Sequence, residues 1–386
     1  MMRICDLTTL YIDGGAGGVN TYVLEKARYL ADYGGVQQHT IIVPGASNAR
    51  HKLFDSTLYT VKSPRFFYNP HHRILAHYGQ IKRLLTDISP DLVEVDCCYL
   101  LGRWARAALS PRQVPLVGFY HTHLPSFYAR PLTQRFGNTI ARLTEACAWQ
   151  YMAYCMAPLD KVLVASQDIY ARLVTRLPTK VEQVPLGVNM ALFRPHAACP
   201  AAVMPARPRI LYVGRLSQEK DLTVLFEAFR LLNQQGTYEL CIIGDGPLRP
   251  QTERFVHNTA HTVYAGMIPY GERLAEFYAT ADVLALPSRN ETFGLTILEA
   301  LASGLPVVAI KQGGPMDLLH DGVGALAAPG DPIDFAHKLA AVLARQPLAQ
   351  QCRAYVAEAF SWQKTFSKLL TIYDTLLARG IQPAAP

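Results

Sequence analysis

The sequence lacks several features that would assign it to a class at once. It contains no uninterrupted apolar run of about 18 residues, the length that a membrane-spanning helix requires. Its first residues, MMRICDLTTLYIDGG, show neither the basic nor the apolar segment of a secretory signal, so we expect a cytoplasmic protein. Only 17% of its residues are charged and 50% are hydrophobic, which excludes a disordered chain. With 386 residues, the chain is long enough for two domains.

The eight cysteines include no Cys-x-x-Cys pair, the spacing typical of zinc sites and dithiol redox centres. They are Cys5, Cys97, Cys98, Cys147, Cys155, Cys199, Cys241 and Cys352. In a chain of this size without an export signal, we expect them to be reduced residues of the core.

Metal-binding patterns are missing as well. His121 and His123 form a His-x-His pair, but no acid or cysteine is spaced to supply a third ligand. The sequence has no convincing Asp-x-Asp motif, and its nearest match, EVD at 94–96, is interpreted as the end of a strand. We therefore expect neither a metal nor another cofactor.

The net charge is +7, which favours an anionic partner. Nucleotide diphosphates and anionic lipids both fit this charge. A nucleic-acid binder would need clustered basic residues within a recognisable module, and the sequence shows none.

Short apolar, β-rich runs alternate with helical stretches in the first half of the chain. After the run RICDLTTL and a glycine loop, VNTYVLEKARYLADYG has apolar positions at helical spacing and ends at a Gly-Gly pair. Further strands are predicted at 39–45, 91–96, 115–121 and 161–166. This alternation predicts a parallel sheet covered by helices.

The proline-rich run 194–208 is the predicted linker, and the alternation restarts after it. The predicted strands are 209–214, 239–246, 282–288 and 306–310, and the predicted helices are 221–235, 294–303 and the amphipathic 361–380. We therefore predict two doubly wound α/β domains, 1–193 and 209–360, and a C-terminal helix, 361–386, packing back on the N-terminal domain.

The stretch SRNETFGLTILEALASGLP, 288–306, places two glutamates eight positions apart around a loop that leads from a strand into a helix. Such a loop lies at the carboxyl end of the sheet, where open α/β folds bind ligands. Glu291 and Glu299 could accept hydrogen bonds from hydroxyl groups on either side of a diphosphate. Alternatively, Glu299 is a solvated helix residue and Glu291 only complements the helix dipole. The chemistry alone does not decide between them.

This stretch resembles the signature of glycosyltransferase family 4, and the match continues into GGPMDLLHDGVGALAAPGDP, 313–332. The resemblance implies the GT-B architecture: two Rossmann-like doubly wound domains facing each other across a cleft. It implies a configuration-retaining enzyme with a nucleotide-sugar donor. Glu291 would contact the transferred sugar and Glu299 the ribose, while Phe293, Gly294 and Leu295 would supply backbone contacts.

Arg215 and Lys220 lie five positions apart in YVGRLSQEKDL, between a strand and a helix. From the residues alone, two solvated loop charges are the better explanation. The family carries an arginine and a lysine at this spacing on the donor diphosphate, so the resemblance implies that they replace Mg²⁺ there.

The glycine-rich segment DGGAGGVNTY, 13–22, is by itself a weak dinucleotide signal. The second strand runs into Pro44 and Gly45 without an acidic residue, which argues against NAD. In the family, a Gly-Gly pair faces the donor phosphate and the acceptor, and we assign Gly17 and Gly18 to it. A lone histidine at a strand end is usually structural, but the family places one near the sugar and its β-phosphate. This role is given to His121 and not to His123.

Two further segments, IIGDGPLR and YAGMIPYGE, match the family around the nucleotide base. Gly244, Met267 and Ile268 are the candidates there, and backbone contacts of this kind do not identify the base. Residues 62–86 combine five basic side chains with interleaved aromatics and contain no acidic residue. This composition fits peripheral contact with anionic lipid, and equally a basic helix packed by its aromatic side.

The segments FYHTHLPSFYARP and VPLGVNMALFRP are most similar to bacterial GDP-mannose-dependent α-mannosyltransferases that act on glycolipids. The expected reaction is therefore hexose transfer, best matched by mannose, to a lipid-linked or glycan acceptor. A UDP-sugar-dependent glycosyl- or sulfoquinovosyl-type transferase stays open, as does a sugar-nucleotide epimerase. The non-enzymatic alternative is a sugar-nucleotide sensor, which would not need the four charged site residues intact.

Overall fold

A computed structural model describes most of the chain: residues 2–9, 11, 17–66, 69–96, 98–125, 129, 133, 136–178, 180–195, 205–234, 237–345 and 348–380. The chain forms two units, one made of 1–185 with 363–386 and the other of 186–362. The predicted linker falls mostly outside the described residues, since 196–204 are not among them.

The first unit contains strands β1 (Met2–Thr8), β2 (Val36–Gly45), β3 (Ala49–Leu53), β4 (Ser56–Lys62), β5 (Arg65–Phe66), β6 (Asn69–Arg73), β7 (Leu92–Asp96), β8 (Leu116–Phe119), β9 (Lys161–Val164) and β10 (Val181–Gln183). Its helices are α1 (Gly18–Asp32), α2 (Tyr78–Ile88), α3 (Leu101–Leu109), α4 (Asn138–Met156) and α5 (Gln167–Val174). The last helix of the chain, described below, completes this unit.

Eight of these strands form one sheet in the order β10-β9-β8-β7-β1-β2-β4-β3. All neighbours are parallel except β3 and β4, which are antiparallel. The predicted parallel sheet is confirmed for the central strands and is wrong at this edge. Only Phe54 and Asp55 separate β3 from β4, and so short a connection can join only antiparallel strands.

The apolar core of the first unit lies on the face of the sheet covered by α2, α3, α4 and α5. Val93 and Val95 of β7 point into it, together with Met152 and Met156 of α4. Because successive strand residues point to opposite faces, Glu94 and Asp96 lie on the other face, toward α1. Strand β7 therefore contributes apolar residues to the core on one face and buried acids to the face toward α1.

The second unit contains strands β11 (Arg209–Val213), β12 (Glu239–Ile243), β13 (Thr262–Gly266), β14 (Val283–Leu286), β15 (Val307–Ile310) and β16 (Gly324–Ala327). Its helices are α6 (Leu222–Leu232), α7 (Arg249–His257), α8 (Glu272–Ala279), α9 (Leu295–Ala302), α10 (Pro315–Leu318), α11 (Pro332–Leu343) and α12 (Ala349–Ala359). The strands make a parallel sheet in the order β13-β12-β11-β14-β15-β16.

This order is that of a Rossmann sheet, in which the direction of winding reverses between the first and fourth strands. Here these strands are β11 and β14, which are hydrogen-bonded neighbours. The loops that follow them open away from each other at the carboxyl edge of the sheet, and open α/β sheets bind ligands at this position. The residues that follow Val213 and Leu286 therefore lie at this ligand-binding position of the sheet.

The final helix, α13 (Trp362–Gly380), belongs mostly to the first unit. Thr365 donates a hydrogen bond to the carbonyl oxygen of Pro185 at 2.8 Å, and Lys368 donates one to that of Gln183 at 2.7 Å. Phe366 and Tyr373 are fully buried. None of the helices in the described residues combines the length and apolarity needed to cross a bilayer.

Candidate functional site

The loop after β11 carries the two predicted phosphate-binding cations. Tyr212, at the end of the strand, is fully buried, and its hydroxyl donates to the carbonyl oxygen of Arg215 at 2.9 Å. This bond fixes the backbone from which the Arg215 side chain projects, 41% exposed. A 3₁₀ turn, Gln218–Lys220, then places Lys220 at its last position. The loop thus has an anchored backbone and accessible cationic ends.

The loop after β14 brings Glu291 to the same place. The Lys220 ammonium group donates directly to Oε1 of Glu291, and the two side chains are 18% and 13% exposed. Ser288, which is buried, donates from its hydroxyl to the carbonyl oxygen of Glu219 at 3.4 Å and ties the two loops together. The reversal point of the sheet therefore unites two residues that lie 71 positions apart in the chain.

A Gly-Gly pair supports the Glu291 loop from behind. The amide of Gly314 donates to the carbonyl oxygen of Glu291 at 2.9 Å. A Cβ atom at Gly313 would lie 2.7 Å from that same oxygen, and one at Gly314 would collide with the backbone of Phe293. Larger residues would push the loop away, so this pair, which the sequence showed only as part of a family motif, positions Glu291.

Helix α9 begins immediately after this loop. Gly294 has φ 107°, a left-handed conformation that other residues adopt only under strain, and a Cβ there would lie 2.9 Å from Cδ1 of Ile297. Phe293 is buried, whereas Leu295, the first helical residue, is half-buried. The first amides of a helix lack intrahelical partners and form the positive end of its dipole, so they suit an anion.

Glu299 is buried within α9, with 6% of its surface exposed, which rules out the interpretation of a solvated helix residue. The hydroxyl of Tyr278 donates to its Oε2 at 2.7 Å. Burial raises the pKa of Glu299 to about 7, although the hydrogen bond from Tyr278 opposes this shift. Tyr278 was not identified from the sequence, because a tyrosine at helical spacing in α8 is typical of a core residue.

The predicted base-binding residues follow β12 and β13: Gly244 comes directly after β12, and Met267 and Ile268 come directly after β13. Gly244 has φ 142°, and a Cβ there would overlap the carbonyl oxygen of Gly214. The hydroxyl of Tyr264 donates to the carbonyl oxygen of Gly244 at 3.0 Å. Met267 is 53% exposed and Ile268 is buried. The close approach of the ends of β11 and β12 requires a glycine at 244, whether or not a ligand binds there.

His121 belongs to the first unit, two positions after β8. Its Nε2 lies 3.3 Å from Oδ1 of Asp96, and its ring stacks on that of Phe119 at 4.4 Å with an interplanar angle of 4°. Thr8 donates to the other oxygen, Oδ2, of Asp96 at 2.6 Å, and both Thr8 and Asp96 are fully buried. Asp96 ends the EVD segment, which the sequence marked only as the end of a strand.

Gly17 and Gly18 stand at the start of α1. Gly17 caps the helix with φ 138°, and its carbonyl oxygen accepts from the amide of Thr21 at 3.0 Å. Gly18 is the first helical residue, and both glycines are exposed. The preceding glycine-rich residues 13–16 lie outside the described residues.

Comparison with known proteins identifies the family. The model described as "Glycosyltransferase Family 4" matches residues 16–192, and that described as "Glycosyl transferases group 1" matches residues 203–359. A GDP-mannose-dependent alpha-mannosyltransferase of Mycobacterium tuberculosis is 30% identical over 78% of this chain and 78% of its own length. The chain belongs to glycosyltransferase family 4. Family membership and the charged site at the switch point together support a nucleotide-sugar donor for this glycosyltransferase.

Two more relatives show how broad the similarity is. A GDP-mannose-dependent alpha-(1-6)-phosphatidylinositol dimannoside mannosyltransferase of Mycobacterium tuberculosis is 28% identical over 96% of this chain and 95% of its own length. A sulfoquinovosyl transferase of Arabidopsis thaliana is 29% identical over 74% of this chain, which spans 58% of that relative.

Solved structures confirm the fold. A sucrose-phosphate synthase from Thermosynechococcus elongatus has a TM-score of 0.76 at 21% identity. The match covers 98% of this chain and 100% of the synthase chain. HepE of Anabaena, in complex with UDP and glucose, has a TM-score of 0.69 at 19% identity, covering 97% and 100%. The glycosyltransferase thus has the predicted GT-B fold, built from two Rossmann-type units.

The first unit of the glycosyltransferase also holds a cluster of buried charges that the sequence did not reveal. The ammonium group of Lys26 lies 2.8 Å from Oδ1 of Asp6 and 2.8 Å from Oε1 of Glu94, and it donates to the hydroxyl of Tyr373 at 2.9 Å. Burial raises the pKa of Glu94. Burial would also raise the pKa of Asp6, but Lys26 and His39 hold it below its usual range. In the sequence, Lys26 stands at one of the helically spaced positions of VNTYVLEKARYLADYG, and that spacing does not reveal its acidic partners.

Two other predictions concern single residues. His123, which was not given a site role, is buried, and its Nδ1 lies 2.9 Å from the Tyr120 hydroxyl. Burial lowers the pKa of His123 to about 4, so it stays neutral near pH 7.

Of the six cysteines in the described residues, all are free, but Cys147 is exposed rather than in the core. Cys97 and Cys199 lie outside the described residues.

No group of three or more histidine, cysteine, aspartate or glutamate side chains is arranged to hold a metal ion within the residues that the structure describes.

Proposed function

We propose that this glycosyltransferase is a retaining, metal-independent hexosyltransferase that moves mannose from GDP-mannose to a glycolipid or glycan acceptor. The observation that carries the donor half of the proposal is the contact of Lys220 with Glu291 at the switch point of the second sheet. Arg215 stands on the same loop with an exposed guanidinium group. Two cations and a carboxylate at this edge match a ligand that is both a diphosphate and a polyol.

The diphosphate is assigned to Arg215, Lys220 and the first amides of α9. A guanidinium group binds phosphate oxygens in pairs, and an ammonium group binds them as a point charge. Both groups would face the negative charge that develops on the leaving nucleotide, and stabilisation of this kind is usually the largest contribution to the rate. These two cations supply the charge that a divalent ion supplies elsewhere, which is the basis for proposing metal independence.

The transferred sugar is assigned to Glu291, whose carboxylate accepts hydrogen bonds from sugar hydroxyls. In the structure this carboxylate is held by Lys220. A bound diphosphate would compete for the ammonium group, leaving Glu291 to the sugar while the supporting Gly314 amide keeps its backbone in place. The pair therefore keeps both side chains oriented before the donor arrives.

The ribose is assigned to Glu299 and the base to the backbone near Gly244, Met267 and Ile268. The ribose hydroxyls donate to a carboxylate best when it is ionised, and the hydroxyl of Tyr278 already stabilises that form. Since the base contacts use the backbone, the choice between GDP and UDP rests on the named relatives and not on a side chain of this site.

For the retaining reaction, we propose front-face attack. The acceptor oxygen bonds to the anomeric carbon on the side from which the phosphate oxygen departs, and the acceptor proton passes to that phosphate oxygen. The sugar carries oxocarbenium character in between, so the barrier falls as the diphosphate charge is stabilised. His121 is assigned to the sugar and its β-phosphate, and Gly17 and Gly18 to the phosphate and the acceptor, by family resemblance.

Mannose is proposed because two of the relatives are named as GDP-mannose-dependent and match most of this chain. The similarity to a sulfoquinovosyl transferase supports a second candidate, transfer from a UDP-sugar. A sugar-nucleotide epimerase would convert the donor without an acceptor, and a sensor would bind it without turnover.

The acceptor is proposed to be a glycolipid or glycan, with peripheral membrane contact through 62–86. In this segment Lys82 and Arg83 are exposed, whereas Tyr78 packs on Trp104 with 6.0 Å between ring centroids. Phe67 and Tyr68 lie outside the described residues. Lys82 and Arg83 are therefore available to an anionic surface, whereas Arg73 is half-buried and donates to the carbonyl oxygen of Ser63 at 2.7 Å. At least one aromatic of the segment is used for packing.

A thermal-shift panel of GDP-, UDP- and ADP-sugars tests the donor. At 100 times its dissociation constant, a specific ligand stabilises the native protein by about 2.7 kcal/mol. We expect GDP-mannose to give the largest shift, and Lys220→Ala to abolish it while Lys338→Ala, on α11, retains it. A larger shift with UDP-sugars would support the second candidate, and no shift with any nucleotide would contradict the proposal. Donor converted without acceptor would identify an epimerase.

A further inference from the structure

The imidazole ring of His121 is in contact with two other rings. Its side chain is 6% exposed, and Phe119 stacks on it at 4.4 Å with an interplanar angle of 4°. Tyr22 of α1 is the second neighbour, with its ring centroid 4.9 Å from that of His121 and 5.0 Å from that of Phe119. Because these two distances are nearly equal, Tyr22 lies beside the stacked pair and not on the far face of His121. We call Tyr22, Phe119 and His121 the aromatic trio.

Two regular spacings bring the aromatic trio together. Phe119 and His121 are two positions apart at the end of β8, so both point to the same face of the sheet. Phe119 pairs with Asp96 of β7, which places both rings on the face that α1 covers. Tyr22 belongs to the buried side of α1, one helical turn before Lys26. The aromatic trio therefore follows from the register of β7 and β8 and from the packing of α1 on the sheet.

The hydroxyl of Tyr22 anchors its ring to the buried charge cluster. It donates to Oε1 of Glu94 at 2.7 Å, and both residues are fully buried. Lys26 donates to the same oxygen at 2.8 Å, and the hydroxyl of Tyr373 on α13 donates to Oε2. Phe366 of α13 packs on the Tyr22 ring with 5.8 Å between centroids. Since buried networks with all partners in place are rigid, Glu94 is a fixed support for Tyr22.

A support of this kind matters for a histidine because rotation about its χ2 bond has only broad minima. Neighbouring side chains therefore have to lock the orientation of a functional imidazole. Oδ1 of Asp96 lies 3.3 Å from Nε2 of His121, which holds one atom of the ring, and Phe119 fixes the ring plane. These two contacts still allow the ring to slide within that plane. Tyr22 occupies one side of the stacked pair and closes this direction of movement.

We propose that Tyr22 is a positioning residue of the transfer reaction. Its ring holds the imidazole of His121 in the orientation needed at the transferred sugar, and the cluster around Glu94 holds Tyr22. Because Tyr22 is fully buried, it acts through His121 and not by its own contact with substrate. The proposal rests on the proposed function in one respect, the assignment of His121 to the sugar and its β-phosphate. It gives the buried cluster a second role besides stability.

The kinetics of two variants test the proposal. Tyr22→Phe keeps the ring and loses the hydroxyl, while Glu94 keeps Lys26 as a donor at the same oxygen. We expect a loss of about threefold in kcat for Tyr22→Phe and of about tenfold for Tyr22→Leu, which lacks the ring. The KM for the donor should change little, because the proposed diphosphate site lies in the second unit. Release of nucleoside diphosphate measures the rate, and urea denaturation shows whether each variant is folded.

Trp104→Leu is the matched control for the loss of a packed ring. Trp104 is half-buried on α3 and packs against the core on the other face of the same sheet, so its removal should leave kcat unchanged. Equal losses of kcat for Tyr22→Leu and Trp104→Leu would overturn the proposal. Tyr22→Phe keeps the packing and tests the proposal even where Tyr22→Leu does not fold. An undiminished kcat in Tyr22→Phe would overturn the anchoring by Glu94 and the proposal with it.

The orientation of His121 gives a readout that does not depend on activity. A crystal structure of Tyr22→Leu should show the His121 ring turned into the vacated space or present in two orientations, and an unchanged ring would overturn the proposal. Tyr22→Leu should also cost no further activity in a His121→Ala background. A ring that turns without any loss of activity would confirm that Tyr22 orients His121 and would contradict the role of His121 in the proposed function.

Discussion

Each unit of the glycosyltransferase contains a lysine paired with acids, and the two clusters differ in burial. In the first unit, Lys26 contacts Asp6 and Glu94, and these side chains are at most 1% exposed. In the second unit, Lys220 contacts Glu291, and both remain partly exposed at the carboxyl edge of the sheet. The chemistry is the same, but only the second pair can be reached by a ligand.

The difference shows how burial decides the use of a charge. An ammonium group has three hydrogens, and Lys26 gives one each to Asp6, Glu94 and Tyr373. Its cluster is therefore complete without a ligand, and it joins α1, β1, β7 and α13. Lys220 donates to Glu291 alone among the side chains of the described residues, so its ammonium group keeps hydrogens for the proposed phosphate. A completed cluster stabilises the fold, and an incomplete one at a strand end can accept a ligand.

The largest effect is expected when the complete cluster is broken. Lys26→Met would leave Asp6 and Glu94 buried without their cation, and removing one partner of a buried pair typically costs about 3–5 kcal/mol. We expect a loss of this size in the free energy of unfolding of the first unit, measured by urea denaturation with hydrogen exchange to localise it.

Lys220→Met is the matched change in the second unit. Because this pair is partly exposed, its removal should cost about 1 kcal/mol of stability or less. Equal losses for Lys26→Met and Lys220→Met would show that burial does not separate the two clusters.

The second effect concerns turnover. Lys220→Ala should retain the fold and lose at least about 100-fold in the rate of nucleotide-sugar consumption, since the leaving diphosphate loses a cation where charge develops. Release of nucleoside diphosphate at saturating donor measures this rate, with Lys338→Ala as the control. A folded Lys220→Ala protein with a near-normal rate would remove Lys220 from the diphosphate site.

The third effect depends on pH. Burial raises the folded-state pKa of Glu299 to about 7 from its ordinary value near 4.5, so the native protein binds a proton that the unfolded chain releases. Below pH 4.5, Glu299 is mostly protonated in both the native and the unfolded state, so its burial costs little stability. As the pH rises from there through about 7, the unfolded chain loses this proton first, and the free energy of unfolding falls. We expect Glu299→Gln, which keeps an acceptor for Tyr278, to gain roughly 2 kcal/mol relative to wild type between pH 5 and 8.

Melting temperatures of the two proteins across this pH range measure the effect. If the difference between Glu299→Gln and wild type stays constant with pH, Glu299 does not titrate in this window. If Glu299 binds the ribose as proposed, nucleoside diphosphate binding should strengthen over the same range in the wild type only, because hydroxyl groups donate better to an ionised carboxylate.

The sequence predicted much of this architecture because the strands are nearly continuous apolar runs that end in glycine, proline or serine. The loop from Ser288 to Gly294 and the start of α9 were located to within a few residues for this reason. The antiparallel β3 was missed, since its exposed and polar sequence carries no apolar run. Edge strands pair through the backbone alone, which leaves little trace in the side chains.

The site was predictable only where a residue type is rare for its position. Glycines at 294 and 244, which need positive φ, and paired glutamates at a helix start met that condition. The roles of Lys26, Tyr278 and Asp96 could not be predicted in this way. Each occupies a position in a helical or strand pattern that a core residue or a strand end explains equally well. Their roles come from partners distant in the chain, such as the 347 positions between Lys26 and Tyr373.

The smallest effect tests whether Asp96 positions His121. Oδ1 of Asp96 can accept a hydrogen bond from Nε2 of His121, so Asp96 favours the His121 tautomer that carries the ring proton on Nε2. In Asp96→Asn, Thr8 would still donate to the amide oxygen, which turns the amide NH₂ group toward His121 and favours the opposite tautomer. We expect a loss of about tenfold in kcat with the KM for the donor little changed, since geometry and not charge at the diphosphate is altered.

Nitrogen NMR shifts of the His121 ring should report the change of tautomer directly, which a general loss of stability would not produce. A double-mutant cycle gives the decisive outcome. If Asp96 acts through His121, Asp96→Asn should cost nothing further in a His121→Ala background, because residues that act as one unit are not additive. Additive losses would mean that Asp96 has only a structural role, as Lys26 does. Asp96 would then belong with the buried cluster, and only His121 would belong to the reacting site.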